Sequence, residues 1–385
     1  MLCAGDSMPP APVVLFADRL GRGHAGHGSG TPPESPVRPC LCTPGRLQSC
    51  CSSIRCDGRP NRRSLGAPLA QGAFTGWPGT CACSLCRSSP LKVYQLNYSD
   101  IHGGAARAAY RIHHALRASG IDSQMLVNWA SAGDWSVQGP TGQAAKALGR
   151  IRPQLAKPLR ALLRTGNPII HSPAIVPSTW PQWLNGSDAD VVHLHWVQGE
   201  MLSIADIGRI RKPIVWTLHD MWAFCGAEHY TDDLRWREGY RLGNRPAHES
   251  GFDLNRHTWQ RKRRHWRRPI HIVCPSQWLA DCVKTSALMA DWPVTVVPNT
   301  LDTDRWCPME QRLARVLLGL PLEAPLLLFG AMGGGRDPRK GFDLLQAALE
   351  QLRAEPNLQE LQLVVFGQLA PREPPELGFP IHYTG

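Results

Sequence analysis

The chain has 385 residues, of which 43% are hydrophobic, so it is long enough for two domains and ordinary in composition for a globular protein. Its formal net charge of +11 favours an anionic partner, such as nucleotide phosphates, a membrane surface or nucleic acid. A run of about 20 apolar residues is missing, which excludes a transmembrane helix. The N-terminus also lacks a charged region followed by a sustained apolar stretch, so we expect a cytoplasmic protein.

Residues 1–90 differ in composition from the rest of the chain. Pro and Gly occupy 24 of these 90 positions, and no apolar period persists, so the segment cannot bury enough surface to fold. Cys56, Cys81, Cys83 and Cys86 could bind zinc through four thiolates, but their spacing is irregular. We therefore predict a low-complexity extension that is disordered or is not part of the working protein.

From Leu91 onward, predicted strands and helices alternate. The strands cover residues 92–98, 123–127, 190–196, 213–218, 270–274, 294–297, 326–330, 361–366 and 381–383. Helices are predicted at 105–116, 141–165 (interrupted by Pro153 and Pro158), 204–210, 256–268, 277–286, 309–318 and from 342. This alternation indicates an α/β fold with parallel sheets. A turn-rich connection separates a first domain, 91–304, from a second, 305–385.

Two of these strands run into a glycine-containing loop and then a helix. The first strand leads to Gly103 and Gly104, and the strand 326–330 leads to a glycine turn at 331–335. Backbone N–H groups and the helix dipole point at one spot in such a unit, which makes it a ready anion site. Two such units suggest one phosphate-bearing ligand held between the domains.

Six motifs then occur in a fixed order along residues 91–385. They are SDIHGGAA (99–106), DVVHLHW (190–196), WTLHDMW (216–222), PSQWL (275–279), PNTLD (298–302) and RKGF (339–342). Together they resemble the retaining family 4 glycosyltransferases with the GT-B fold, especially bacterial polysaccharide-assembly enzymes. The resemblance implies two Rossmann-like domains around a cleft, with the acceptor on the N-terminal domain and a nucleotide-sugar donor on the C-terminal domain.

The resemblance implies two catalytic residues. His219 matches the family's histidine near the transferred sugar, and Lys340 matches the lysine that pairs with the diphosphate. A fixed ammonium would offset the charge that develops on a nucleoside diphosphate leaving group. The alternatives are a core histidine and an ordinary exposed lysine, although the helix dipole disfavours a lysine at a helix start.

Donor-binding residues also follow from the resemblance. Gly103 and Gly104 match the loop whose backbone approaches the donor phosphates, and Gly341 opens the helix that follows Lys340. Many members carry an arginine where this chain has Ala331. The nearby arginines that could replace it are Arg336 and Arg339. The family's E-x7-E region, which binds the ribose and the sugar hydroxyls, falls beyond residue 385, so we expect a truncated chain with an incomplete second domain.

Other polar groups carry weaker signals. Asp220 and Glu228 could act as acid or base, although Glu228 is typical of a solvated loop carboxylate. His193 and His195 share one face of a strand but have no evident third metal ligand. The pairs at 188–190 and 302–304 resemble metal-binding DxD motifs in the wrong setting. The four cysteines after residue 90 are typical of small core hydrophobes. We expect no metal and no cofactor apart from the nucleotide-sugar substrate.

The segment 256–268 is strongly basic and has two tryptophans, Trp259 and Trp266, spaced so that they share a helical face. The pattern favours a solvated helix that buries both tryptophans in the core. The alternative is a helix that lies on an anionic membrane, which would place the protein at the inner membrane face. A nucleic-acid-binding module is missing, so no nucleic-acid partner is expected.

We therefore predict a retaining glycosyltransferase of polysaccharide biosynthesis. Its partners would be a nucleotide-sugar and a glycan or lipid-linked acceptor, with peripheral contact with an anionic membrane as a further interaction. Two alternatives stay open. One is an inactive truncated fragment that acts only as a binding domain, and the other is a nucleotide-sugar epimerase with a similar two-domain layout.

Overall fold

A computed structural model describes residues 90–330, 337–367 and 369–385. The described residues divide into two units, between residues 306 and 307. Residues 1–89, with the cysteines considered as zinc ligands, lie outside the described residues, as do the turn 331–335 and Arg336. No helix in the described ranges has the length and apolar character needed to span a bilayer.

The first unit alternates strands and helices along the chain. Its elements up to the third helix are β1 (Lys92–Ser99), α1 (Gly104–Ala118), β2 (Asp122–Trp129), β3 (Val137–Gln138), α2 (Gln143–Leu155) and α3 (Lys157–Ala161). Next come β4 (Leu163–Arg164), α4 (Trp180–Gly186), β5 (Val191–Leu194), α5 (Ile204–Arg209), β6 (Ile214–Thr217), α6 (Arg235–Glu238) and β7 (Ser250–Gly251). The last four are α7 (Leu254–His265), β8 (His271–Cys274), α8 (Gln277–Thr285) and β9 (Val294–Val296).

Seven strands of this unit form one sheet in the order β3-β2-β1-β5-β6-β8-β9, and every pairing in it is parallel. The chain first builds outward from β1 to β3 and then returns to the other side of β1 with β5. This is the doubly wound order, in which the direction of winding reverses between two neighbouring strands. A ligand crevice is expected where the direction reverses, at the carboxyl ends of β1 and β5.

The core of the first unit lies on both sides of this sheet. Leu96 and Val192 are fully buried, as expected for parallel strands covered by helices on both faces. Three tryptophans, one of them on β6, pack together on one face of the sheet. The rings of Trp216, Trp222 and Trp266 have centroid separations of 5.4 to 6.2 Å. This aromatic cluster joins α7 to the sheet.

The basic segment forms α7 and buries both of its tryptophans, with Trp259 6% and Trp266 5% exposed. The preferred interpretation of this segment is therefore confirmed for the tryptophans. The expectation of a solvated helix does not hold at Lys262, which belongs to the same basic segment and is fully buried. The tryptophans of α7 are not available to contact a membrane.

The second unit contains α9 (Gln311–Leu318), β10 (Leu326–Gly330), α10 (Phe342–Leu352), β11 (Gln362–Phe366) and β12 (Ile381–Tyr383). Its three strands form a parallel sheet in the order β10-β11-β12. Leu349 of α10 packs on Leu363 and Val365 of β11 to form the core of this unit. Two units with parallel sheets confirm the predicted α/β fold class.

The cysteines of the described residues are mostly core residues, as predicted. Cys225, Cys274 and Cys282 are buried. The prediction is wrong for Cys307, which is exposed because residues 301–310 form an exposed connection that packs against no sheet.

Candidate active site

The carboxyl ends of β1, β5 and β6 carry the polar residues that the sequence singled out. The loop 100–103 follows β1, His195 and Trp196 follow β5, and His219 and Asp220 follow β6. Neighbouring strands lie about 4.8 Å apart, so the ends of β1 and β6 are roughly 10 Å apart. The fold thus places Gly103 and His219, which are far apart in sequence, beyond the carboxyl ends of β1 and β6, at the same edge of the sheet.

The loop after β1 opens the N-terminus of α1 to solvent. Gly103 is the N-cap of α1 with φ +94°, and Gly104 is its first residue. A Cβ atom added at either glycine would meet no atom within 4 Å. Side-chain caps and first-turn acidic residues are both missing from this 15-residue helix. Its first-turn amides can therefore donate hydrogen bonds to an anion, which the dipole of α1 favours.

Asp100 fixes the position of this loop. Its buried carboxylate accepts hydrogen bonds from the backbone N–H groups of Ile101, Ser131 and Ala132 at 2.6 to 2.8 Å. Burial alone would raise the pKa of Asp100, but the bonds from Ser131, Ala132 and Ile101 more than offset it and lower the pKa. An ionised carboxylate therefore ties the glycine loop to the loop that follows β2.

His219 sits half-buried at the end of β6 and contacts His195. Its Nε2 lies 3.1 Å from Nδ1 of His195, whose Nε2 lies 2.9 Å from Oε1 of Gln95. Burial lowers the pKa of His219 to about 4, although Asp220 acts in the opposite direction. Burial also lowers the pKa of His195 well below its ordinary value. Both rings are therefore neutral at neutral pH, and each has one donor and one acceptor nitrogen.

The hydrogen bonds continue from Gln95 through the unit to a carboxylate. Gln95 Nε2 donates to Ser123 Oγ at 3.1 Å. His113 then bridges Ser123 and Ser136 with two bonds of 2.8 Å, and Ser136 Oγ donates to Asp134 at 2.7 Å. Burial tends to raise the pKa of Asp134, but bonds from Ser136 more than offset it and the pKa falls to about 2.

The ionised carboxylate of Asp134 ends this series of hydrogen bonds and sets the direction of every bond in the series. Ionised Asp134 can only accept, so each preceding group donates toward it. His195 then donates from Nε2 to Gln95 and accepts at Nδ1 from the Nε2–H of His219. His219 is left with an unprotonated Nδ1, which can accept a hydrogen bond from a hydroxyl group.

Asp220 is held by three donors. Trp196 Nε1 donates to it at 3.0 Å, the backbone N–H of Trp222 at 2.9 Å, and His229 Nδ1 lies 2.6 Å away. His229 Nε2 in turn lies 2.9 Å from Ser172 Oγ. Burial would raise the pKa of Asp220, but the interactions with His229 and with the Trp222 amide lower it. Asp220 is thus an ionised anchor for the ring of Trp196, with its oxygens already engaged.

Glu228 is fully buried, so the expectation of a solvated loop carboxylate is wrong. Its carboxyl group accepts a short hydrogen bond from Tyr240 Oη, and burial raises its pKa. The physical reason is the packing of the loop after β6, which folds back into the core where α7 covers it. Lys262 of α7 donates from Nζ to the backbone carbonyls of Trp222, Cys225 and Gly226.

The second unit carries Lys340 at the start of α10. Residues Pro338–Lys340 form a single 3-10 turn, Gly341 follows in the left-handed region with φ 68°, and α10 begins at Phe342. The side chain of Lys340 is exposed. Arg339 pairs with Asp337 at 2.6 Å. The backbone around Lys340 thus has the glycine-opened helix start that the sequence predicted, whereas Arg336 is outside the described residues.

A model of the family described as Glycosyltransferase Family 4 matches residues 102–305, which is more than half of the chain. The chain belongs to Glycosyltransferase Family 4. The resemblance inferred from the six motifs is thereby confirmed at the level of the family. The matched range includes the glycine loop and His219, whereas Lys340 lies outside it. No curated protein matches the chain.

Several solved glycosyltransferase structures are similar to this family member. Anabaena Alr3699/HepE, in complex with UDP and glucose, is 16% identical with a TM-score of 0.39 over 72% of this chain and 60% of that one. A Rickettsia africae glycosyltransferase is 10% identical with a TM-score of 0.38, over 72% and 61% of the two chains. WaaG, involved in lipopolysaccharide biosynthesis, is 14% identical with a TM-score of 0.37, over 76% and 69%. The chain spans about 60% of the length of the first two.

Sequence reasoning missed most of the network around His219 in this family member. His195 was assigned to a shared strand face, but its bond to His219 depends on the pairing of β5 with β6. Gln95 carried a usable signal, because it is a polar residue in the middle of a predicted strand. His229 and Ser172 carried none, because their partners come from distant loops.

Proposed function

We propose that the chain is a retaining glycosyltransferase that moves a sugar from a nucleotide-diphosphate donor to a glycan or lipid-linked acceptor. Family membership supports the reaction class. The observation that carries the proposal is that an open glycine-capped helix and a histidine whose Nδ1 is left free to accept both follow the carboxyl ends of strands in the seven-stranded sheet. An anionic group and a hydroxyl are the two features that such a pair recognises together.

His219 is proposed to orient a sugar. Its Nδ1 accepts a hydrogen bond from a hydroxyl group, since its Nε2 is committed to His195. It does not act as a proton donor near neutral pH, because burial lowers its pKa to about 4. Asp220 positions the half-buried ring of Trp196 at the end of the neighbouring strand β5, and an indole face is a suitable surface for the apolar side of a sugar ring.

The anionic part of the donor is proposed to meet backbone amides and cations. The N-terminus of α1, opened by Gly103 and Gly104, offers amides that need no side-chain movement to bind a phosphate. Lys340 is proposed to pair with the diphosphate and to stabilise the charge that develops on it as the glycosidic bond breaks. Arg339 and Arg336 are proposed as further phosphate contacts, and Gly341 allows close approach.

The test is incubation of the chain with a panel of nucleotide-sugars, with and without glycan and lipid-linked acceptors. We expect release of a nucleoside diphosphate and a glycoside whose anomeric configuration, measured by NMR, equals that of the donor. Inverted product would refute retention. An isomerised nucleotide-sugar would favour an epimerase instead. Donor binding by calorimetry without turnover would favour a binding domain that lacks transferase activity.

A further inference from the structure

A cavity of about 640 Å³ opens between α2, α4 and the end of β2 in the first unit. It lies on the side of the sheet that α4 covers, where Trp183 of α4 stacks on Tyr94 of β1. Helix α1 covers the other side, where its Ala109 packs with Val127 of β2. Tyr94 is in register with Gln124 of β2, so Tyr94 and Val127 face opposite ways. The cavity is therefore separate from the open N-terminus of α1.

Two indole rings line this cavity. Trp180 and Trp183, both on α4, meet at 90° with their ring centroids 5.8 Å apart. Trp183 is 46% exposed, although Tyr94 stacks on its ring at 5.3 Å. The two neighbouring rings hold Trp183 in one orientation and leave almost half of it open. An open, fixed indole is a suitable surface for the C–H face of a pyranose ring.

Uncharged hydrogen-bonding groups line the cavity beside the indoles. Thr179 is the N-cap residue of α4, but its hydroxyl does not cap the helix. Asn128 donates from Nδ2 to the carbonyl of Gly149 at 3.3 Å, and the exposed Gln138 donates from Nε2 to Gln124 at 3.4 Å. Within the described ranges, the amide oxygens of Asn128 and Gln138 have no donor. A hydroxyl and two amide oxygens are suitable partners for sugar hydroxyls.

Among the described residues that line the cavity, only Arg152 of α2 carries a charge. Its guanidinium donates, each time at 2.8 Å, to three backbone carbonyls: those of Val176, Pro177 and Glu200. These bonds fix the orientation of α2, which leaves Leu148 and Ile151 54% and 52% exposed. Because the cation of Arg152 is already engaged, the lining favours a neutral ligand over an anionic one.

We propose that this cavity binds a neutral saccharide, with the C–H face of one sugar ring against Trp183 and sugar hydroxyls on Thr179 and Asn128. Its volume lies within the range of small-molecule sites. A hydrocarbon chain would fit the indoles and Leu148, but it would cover the amide and hydroxyl groups without pairing them, which is unfavourable. A nucleotide would bring phosphates to a site whose one cation is already engaged.

The cavity reaches the edge of the sheet that carries the candidate active site. Asn128 is the last residue but one of β2, and Trp129, which ends β2, is in register with Ser99 at the end of β1. We assign the occupant to a part of the glycan acceptor remote from the reacting hydroxyl. This assignment rests on the proposed function, whereas saccharide binding in the cavity does not.

The test is saturation-transfer NMR of the full chain with neutral disaccharides and without nucleotide. The disaccharide probes are cellobiose, lactose, mannobiose and chitobiose, and farnesol is the hydrocarbon probe. We expect at least one disaccharide to bind. Trp183→Leu should weaken this binding about tenfold, because the aromatic surface is lost. Thr179→Val should weaken it about threefold or more, because one hydrogen bond is lost while the shape is kept.

Two control variants show where the disaccharide binds. Trp278→Leu removes a tryptophan that is 37% exposed, from α8 near the other end of the sheet. His219→Gln alters the candidate active site, which is also proposed to take a sugar. Both variants should bind the disaccharide within about twofold of the unaltered chain. Urea unfolding should show that all four variants are folded.

Four results would overturn the saccharide site. No disaccharide of the panel binds, Trp183→Leu and Thr179→Val both bind as tightly as the unaltered chain, or Trp278→Leu weakens binding as much as Trp183→Leu does. The fourth is loss of binding in His219→Gln, which would place the sugar in the candidate active site. If farnesol alone binds and Trp183→Leu abolishes its binding, the cavity holds a hydrocarbon chain instead.

The transfer assay tests the proposed function separately. With a glycan acceptor that extends beyond the reacting sugar, Trp183→Leu should raise the acceptor KM about tenfold and leave kcat unchanged. Disaccharide binding by a chain without transferase activity would refute the proposed function alone. Transfer by a chain that binds no disaccharide would refute the saccharide site alone.

Discussion

His219 Nε2 and His195 Nδ1 lie 3.1 Å apart, at the ends of two neighbouring parallel strands. A chain of hydrogen bonds that ends at ionised Asp134 orients this contact, so that His219 donates and His195 accepts. The candidate site therefore receives a histidine in one defined tautomer. That tautomer is set by residues of β1, β2, α1 and the loop before β3.

The tautomer of His219 is the first prediction. In histidine labelled with nitrogen-15, NMR should show His219 protonated at Nε2 and unprotonated at Nδ1 at neutral pH, because His195 can accept at only one nitrogen. The variant His219→Gln identifies the signal by its disappearance. Protonation of His219 at Nδ1 would contradict the direction of the hydrogen bonds that lead from His219 to Asp134. In Gln95→Leu the preference should weaken, because His195 loses the acceptor for its Nε2–H.

The glycine loop gives two contrasting substitutions. Gly104→Ala should leave the free energy of unfolding unchanged or raise it by about 0.5 kcal/mol, since Gly104 is helical and a Cβ there meets nothing. Gly103→Ala should cost about 1–2 kcal/mol, because its φ is +94°. Urea unfolding measures both.

Donor binding then separates fold from function at the same loop. If a phosphate approaches the first-turn amides of α1, Gly104→Ala should weaken donor binding by about tenfold despite an intact fold. Isothermal titration with the nucleotide-sugar measures this. Unchanged donor affinity in Gly104→Ala would show that the donor phosphate does not bind at this loop.

Lys340 should contribute to donor affinity through its charge. Lys340→Ala is expected to raise the donor KM by about 10-fold to 100-fold, the range for a hydrogen bond to a charged group. Lys340→Arg should recover part of this, because it keeps the charge with a different geometry. Lys284→Ala, at an exposed lysine of α8, is the control. Equal effects at both lysines would show a general response to charge.

Lys262 should be important for stability. Lys262→Met is expected to lower the free energy of unfolding by about 3–5 kcal/mol, because three buried carbonyls would lose their donor. Chemical denaturation provides the measurement. Arg264→Met, at an exposed position on the same helix, should change stability by no more than about 0.5 kcal/mol. A small loss in Lys262→Met would mean that water replaces the ammonium in the core.

His113 should make stability fall in acid. Burial lowers its folded pKa from 6.5 to about 4. Above pH 6.5 neither state is protonated, and between about pH 6.5 and pH 4 only the unfolded chain gains the proton, so folding weakens as pH falls. At about pH 5 this amounts to about 2 kcal/mol for this residue.

The variant His113→Gln provides the comparison for this acid effect. The difference in unfolding free energy between pH 7 and about pH 5 should shrink by about 2 kcal/mol in His113→Gln. It should stay unchanged in His271→Gln, which alters an exposed histidine of β8. If His113→Gln lost as much unfolding free energy between pH 7 and about pH 5 as the unaltered chain, the loss would arise from other groups. One such group is His193, whose pKa burial lowers to about 3.

The sequence determined the elements of this protein and its family. Apolar runs bounded by turn residues placed β1, β5, β6 and β10, because a strand buried on both faces needs a continuous apolar segment. The glycines at 103, 104 and 341 marked helix starts, because the backbone at Gly103 and Gly341 is left-handed. The order of the motifs along the sequence identified the family, and this identification needs no knowledge of tertiary contacts.

Tertiary structure alone decided which side chains are buried and which meet. The orientation of α2 follows from Arg152 and three distant carbonyls, so a helical pattern that would normally face the core lies outside. Glu228 and Lys262 are buried although both are ionisable, because the loop after β6 folds under α7. The local sequence pattern determines which residues share one face of a helix or strand. Only contacts between distant segments determine whether that face is buried.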